Sequence, residues 1–172
     1  MGGGYIVSIA SIIQPNYINI SNEIRLRKYD GKIKFALCWY QDEETLMLVD
    51  GRYEPYDMER LNRMYNYLNK HGELYFIEYK ICDTYIEIGD VTFSAEDMPI
   101  VIGNKDYRGY GIGKKVVLKL IERGKDLGYK KLFVNEIYDY NIGSQKLFEG
   151  VGFEKYEQTI KGYRYCLDLS NE

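Results

Sequence analysis

The chain predicts an α/β fold with a mixed sheet, and three observations carry that expectation. Up to residue 93 its apolar residues come mostly in short alternating runs, the pattern of half-buried strands joined by turns. From residue 100 onward a strand, a glycine-rich turn, a helix, a strand and a helix follow in order. Residues 153–159 and 162–169 then close the chain as a hairpin. A length of 172 residues, 45% hydrophobic and 28% charged, suits one domain with a substantial core, so residues 1–172 are expected to form a single unit.

The elements follow one by one. Residues 5–13 are apolar but lack a basic flank and a cleavage pattern, and the run is too short to span a bilayer. They are expected to form a first strand or an ordered arm, within an extra segment of residues 1–20. Residues 24–29 alternate as a strand, and residues 32–40 place Ile33, Ala36, Leu37 and Tyr40 at helical spacing. Asp42, Glu43 and Glu44 read as an acidic turn, and residues 46–49 as a short strand ending at the turn signal Asp50-Gly51. Asp57 caps a helix through Leu61, Met64, Tyr65 and Leu68 that stops at Gly72. Residues 74–81 and 84–93 are two strands around a tight turn at Cys82-Asp83. Pro99 opens the strand at residues 100–102, where a proline implies an edge or a bulge. A helix carrying Ile112, Val116, Val117, Leu120 and Ile121 follows, then a strand at 131–137 and a helix capped by Asn141.

Several function classes are excluded by composition. Cys38, Cys82 and Cys166 are scattered and odd in number, which supports neither a disulfide framework nor a zinc site and suits a cytoplasmic setting. His71, the only histidine, stands at a helix end, so no histidine base or histidine metal cluster is available. No membrane segment and no nucleic-acid module is recognisable. From residue 104 to 131 there are nine Lys or Arg and three Asp or Glu, a net charge of +6 in a chain whose total is −3. A basic stretch there suits a polyanionic ligand, and the acidic remainder suits a cationic one, although solvated helix faces would carry the same charges.

The organising stretch runs from Ile100 to Lys115. Three alternating glycines, Gly109, Gly111 and Gly113, stand where the backbone turns into a helix, whose bare N–H groups and dipole favour a phosphate or pyrophosphate. The stretch departs from a P-loop, because Arg108 stands at the first glycine position and Lys115 replaces the Ser or Thr. It also departs from the dinucleotide fingerprint, whose third glycine would be Lys114. What it matches, from Arg108 to Gly113, is R-x-x-G-x-G. This resembles the acetyl-CoA pyrophosphate loop of the GNAT N-acetyltransferase superfamily. Residues 141–153 also follow that family's N-x-x-[SA]-x-x-L-Y-E-x-x-G-F signature, at a fitting distance from Gly113. The likeness covers about residues 93–169, with a spelling similar to the branch that acetylates ribosomal-protein N-termini, polyamines and some antibiotics.

The resemblance implies a central, mostly antiparallel sheet with a splayed strand pair and flanking helices. It implies acetyl-CoA bound by Ile100, Val101, Ile102, Arg108, Gly109, Tyr110, Gly111, Ile112, Gly113, Lys114, Asn141, Ser144 and Phe148. A strand N–H near Val101 or Ile102 would polarise the acetyl carbonyl, and a carboxylate near the start of that strand would be the base. Asp97 aligns best with that role, with Glu96 and Asp90 as neighbours. The acceptor would be a primary amine, on a small molecule or a peptide, and a homodimer is allowed. One position departs from the family: Phe148 stands where a tyrosine usually protonates the leaving thiolate. Either Tyr138 or Tyr140 replaces it, or departure is assisted by water or by the amine's own proton, or the chain is a non-catalytic acyl-CoA-binding or sensing module.

Overall fold

The computed structural model describes residues 13–170. Strands β1 (Tyr17–Asn19), β2 (Ile24–Lys28), β3 (Glu73–Ile81), β4 (Thr84–Phe93) and β5 (Ile100–Ile102) form a five-stranded antiparallel sheet in chain order. Strands β6 (Lys131–Tyr138), β7 (Glu154–Gln158) and β8 (Gly162–Asp168) form a second ladder in the order β6-β8-β7. Helices α1 (Glu43–Asp50), α2 (Met58–His71), α3 (Ile112–Asp126) and α4 (Ile142–Glu149) flank them.

Strand β3 shows why the large sheet needs helices on both faces. Its side chains alternate with period two. Tyr75 and Ile77 join a core with Val116, Leu120 and Phe148, while Leu74 and Phe76 join another with Trp39, Leu61 and Tyr65. Helix α3 covers the first face and α2 the second, each through its apolar stripe.

Three expectations for the first half need correction, and a fourth is not tested. The strand or arm expected at residues 5–13 falls almost wholly outside the described residues, and β1 lies after it. Residues 32–40 form two single 3-10 turns, Lys34–Ala36 and Trp39–Gln41, that bury Ala36, Trp39 and Tyr40. The acidic turn at residues 42–44 is the start of helix α1: Asp42 accepts the Thr45 N–H at 2.9 Å, and Glu43 and Glu44 fill the first turn. The strand expected at residues 46–49 is therefore the body of that helix, closed at Gly51 with φ of 70°. Capping and first-turn charge outweigh the β-propensity of a short apolar run here. The remaining elements lie where the pattern places them, including the tight turn at Cys82, whose φ is +52°.

Candidate active site

The expected splayed strand pair is β5 and β6. The Phe133 N–H donates to the Ala95 carbonyl at 2.8 Å, and the Asn135 N–H to Asp97 Oδ1 at 2.9 Å. Residues 95–97 and 133–135 thus advance together, so the two strands run parallel. Beyond that point no ladder joins the described residues of β5 and β6. Strand β6 also bulges: its pairing with β8 shifts between Val134 and Ile137, so Asn135 and Glu136 together face one residue of β8.

Register decides which peptide groups look into the gap. The Thr92 N–H donates to the Pro99 carbonyl at 3.0 Å, which makes 99 and 101 the positions that bond to β4. The peptide groups of Ile100 and Ile102 therefore face away from β4, toward β6. Arg108 Nε meets the Ile102 carbonyl on that side at 2.7 Å. The register thereby selects Ile102 over Val101 as the N–H that can reach a group lying in the gap. The ladder also slips at its end: Ile88 stands opposite Gly103 by register, yet its carbonyl accepts from the Asn104 N–H at 2.9 Å.

Two cavities meet across β5. The first, about 450 Å³, is walled by the start of α3, by Ile100–Ile102, and by parts of α1 and α4. Arg108, Lys114 and Lys146 bring three positive charges to it, and its described lining holds no carboxylate. The second, about 270 Å³, is walled by residues 97–101, residues 134–138 and Phe148. It has the opposite character, with Asp97 and Glu136 in its described lining and no Lys or Arg. Leu48, Val49, Ile100, Val101, Asn141 and Ser144 line both.

The first cavity suits a pyrophosphate. Gly109 and Gly111 have φ of 81° and 75°, a region that glycine occupies without strain, and none of the described residues lies within 4 Å of where a Cβ would project. Gly111 is the N-cap of α3, so no side chain occupies the first-turn N–H groups, and no acidic residue stands in that turn. Anion and helix dipole would meet there directly. Gly113 has ordinary helical geometry, and its missing Cβ faces Leu147 at 3.4 Å rather than the loop.

Other expected residues sort by position. Asn141 Oδ1 caps α4 by accepting the Ser144 N–H at 3.1 Å. Arg108 lines the first cavity but is also built into the fold, since Nη2 donates to Thr45 Oγ1 at 2.8 Å and Nη1 lies 3.7 Å from Glu44. Tyr110 is exposed at the loop and is absent from the described lining of either cavity. Phe148 packs on Phe153, ring centroids 5.2 Å apart, and lines the second cavity only.

Among the carboxylates, Asp97 alone of the three expected ones reaches a cavity. Burial raises its pKa against the opposing N–H bonds from Asn135 and Met98, both made to Oδ1. Asp90 lies on the other face of the sheet, where Tyr40 and Tyr65 each donate to Oδ2 at 2.8 Å. Glu96 is exposed and lines neither cavity.

Tyr138 and Tyr140 stack with centroids 5.4 Å apart against the end of α1. The Tyr140 hydroxyl donates to the Met47 carbonyl at 2.5 Å, and Tyr140 is absent from both described linings. Tyr138 lines the second cavity, and its hydroxyl has no hydrogen bond among the described residues. Its pKa is raised by burial and by the carboxylates of Glu136 and Asp50, which keeps the phenol protonated.

Helix α1 is the element that sequence reasoning missed. It lies across the gap, held at one end by Lys105 to Asp42 (2.6 Å) and Arg108 to Thr45, and at the other by Tyr140 to Met47. Burial would raise the pKa of Asp42, but Lys105 and the Thr45 bonds bring it down to about 2. Acidic residues after a capping Asp were the available signal. Glu136 was also missed, because a bulge leaves no mark in periodicity.

A glycine-rich helix start faces a parted pair of parallel strands, an arrangement that can cradle an anion at the helix end and admit an extended ligand along β5. The profile of the acetyltransferase (GNAT) family matches residues 35–153, and the chain belongs to that family. Acetyl-CoA is the cosubstrate that membership implies, and the cationic cavity suits it. A domain from Methanocaldococcus jannaschii superposes with a TM-score of 0.75 at 23% identity, over 85% of this chain and 98% of that one. A GNAT-family acetyltransferase from Bacillus anthracis gives 0.72 at 16% identity, over 88% and 98%. Spermidine N-acetyltransferase from Vibrio cholerae, in complex with CoA and spermine, gives 0.68 at 17% identity, over 87% and 98%. No curated protein matches the chain in sequence. Among the described residues no helix is long and apolar enough to cross a membrane, and no group of three or more His, Cys, Asp or Glu could hold a metal.

Proposed function

We propose that this chain, acting as one domain, transfers an acetyl group from acetyl-CoA directly to a primary amine. The observation that carries the reading is the pair of cavities of opposite charge that share Ile100 and Val101 as a wall, with Ile102, whose N–H faces the gap, lining the cationic one. Acetyl-CoA supplies the activated acyl group. The first-turn N–H groups of α3, with Lys114 and Arg108, hold its phosphates. The Ile102 N–H donates to the acetyl oxygen as charge develops there. The amine enters through the second cavity and loses its proton to Asp97 at Oδ2, the oxygen that neither backbone N–H occupies. The Tyr138 hydroxyl gives a proton to the departing sulfur.

Tyr140 is a positioning residue, tying α1 to the start of α4 through Met47. The reading of a non-catalytic binding module rested on Phe148, and a protonated tyrosine at the cavity removes its main support. The test is release of free thiol from acetyl-CoA with an amine panel of polyamines, aminoglycosides and peptide N-termini, beside calorimetric titration with coenzyme A. Binding without release for every amine would return the chain to the binding-module reading.

A further inference from the structure

Asp97 reaches the second cavity from a turn that one hydroxyl organises. Ser94, the residue after β4, is in the described lining of neither cavity, yet it binds both backbone groups of Asp97. Its Oγ accepts the Asp97 N–H at 3.1 Å and donates to the Asp97 carbonyl at 3.1 Å. Its own N–H donates to the same carbonyl at 3.2 Å, and Oγ also accepts the Glu96 N–H at 3.3 Å. The consequence falls on β6. A parallel ladder bonds alternate residues at even spacing. After Phe133 on the Ala95 carbonyl, the Asn135 N–H would therefore take the carbonyl of Asp97. Both lone pairs of that carbonyl are already engaged by Ser94. The Asn135 N–H goes to Asp97 Oδ1 instead, which the Met98 N–H also meets at 3.0 Å. The carboxylate is thus held by one oxygen at the point where β5 and β6 part.

We infer that Ser94 is a positioning residue for the base: by occupying the Asp97 carbonyl it turns the Asn135 N–H onto the carboxylate, which fixes Oδ1 and leaves Oδ2 for the amine. The inference rests on the transferase reading above, in which Asp97 takes the amine's proton. Without the hydroxyl, the Asp97 N–H loses its partner and the Asp97 carbonyl loses one of two bonds. The Asn135 N–H then follows the regular ladder to that carbonyl, β5 and β6 close by one bond, and the carboxylate is free to turn away.

The experiment compares Ser94→Ala, Ser94→Thr, Asp97→Asn and the double variant Ser94→Ala/Asp97→Asn. Single-turnover thiol release from acetyl-CoA is measured with the amine of the panel above that the wild type acetylates fastest. Ser94→Ala should slow release by about tenfold or more, the scale of a misplaced catalytic group, with coenzyme A affinity unchanged by calorimetry. Ser94→Thr, which keeps the hydroxyl, should restore the rate. In the Asp97→Asn background Ser94→Ala should slow release no further, because residues that act as one unit are not additive; a merely structural loss would add its own cost. Hydrogen exchange at the Asn135 amide, followed by NMR, gives a reading without turnover. Its protection should drop by about tenfold in Ser94→Ala and persist in Ser94→Thr. A full Ser94→Ala penalty in the Asp97→Asn background, or unchanged exchange at Asn135 in Ser94→Ala, overturns the inference. Absence of thiol release from the wild type refutes the transferase reading alone, because the exchange still reports whether Ser94 places the carboxylate.

Discussion

Replacing Asp90 by Asn should stabilise the protein at neutral pH and flatten its stability profile in mild acid. Asp90 is buried with its carboxylate on two tyrosine hydroxyls and, among the described residues, no cation beside it. Burial, opposed by the bonds from Tyr65 and Tyr40, raises its pKa from 3.8 to about 6. A shift of that size makes the charged form about 3 kcal/mol less favourable in the folded chain than in the unfolded one. Because the folded-state value is the higher, the associated stability is complete below about pH 4 and is lost as pH rises through about 6. An Asn in the same place accepts from both hydroxyls and buries no charge. The variant should gain up to about 3 kcal/mol at pH 7.5, or roughly 6–12 °C in melting temperature for a chain of this size. The two proteins should converge near pH 4. Asp90→Ala is the useful contrast, since it strands two buried hydroxyls and should destabilise at every pH. Urea unfolding of all three proteins from pH 4 to pH 8 measures the differences. Parallel profiles for the wild type and Asp90→Asn would refute the reasoning.

Further outcomes are expected for the cofactor loop, the α4 cap and the proton donor. Gly111→Val should lower coenzyme A affinity more than tenfold and cost about 1–2 kcal/mol of stability, because a side chain must adopt φ of 75° there; calorimetry on the folded variant checks it, and unchanged affinity argues against a pyrophosphate at this turn. Arg108→Ala should weaken coenzyme A binding in a salt-sensitive way and also cost about 2 kcal/mol, since it loses bonds to Ile102 and Thr45; Asn141→Ala should cost about 1 kcal/mol through its lost cap. Tyr138→Phe should slow single-turnover thiol release by about 10²-fold or more, whereas Phe148→Tyr should leave it nearly unchanged; the reverse result would move the acid to position 148.

From the α3 loop onward, local sequence determined both the fold and the candidate cofactor site. Glycines at 109 and 111 can take a left-handed turn, helix N–H groups follow within the same turn, and Asn141 caps its own helix. Each of these causes acts over a few neighbouring residues, so each leaves a local mark. The acceptor side depends on contacts between distant segments. Ile102 is distinguished from Val101 only by the register of β5 on β4. Asp97 is distinguished from Asp90 because period-two alternation and the β4–β5 connection send the two carboxylates to different places. Tyr138 is separated from Tyr140 by the carbonyl of Met47, which α1 brings from more than ninety residues away. Residues 46–49 are apolar enough for either a strand or a helix. Asp42 and the anchors at both ends settle them as a helix across the gap, and with it the shape of both cavities.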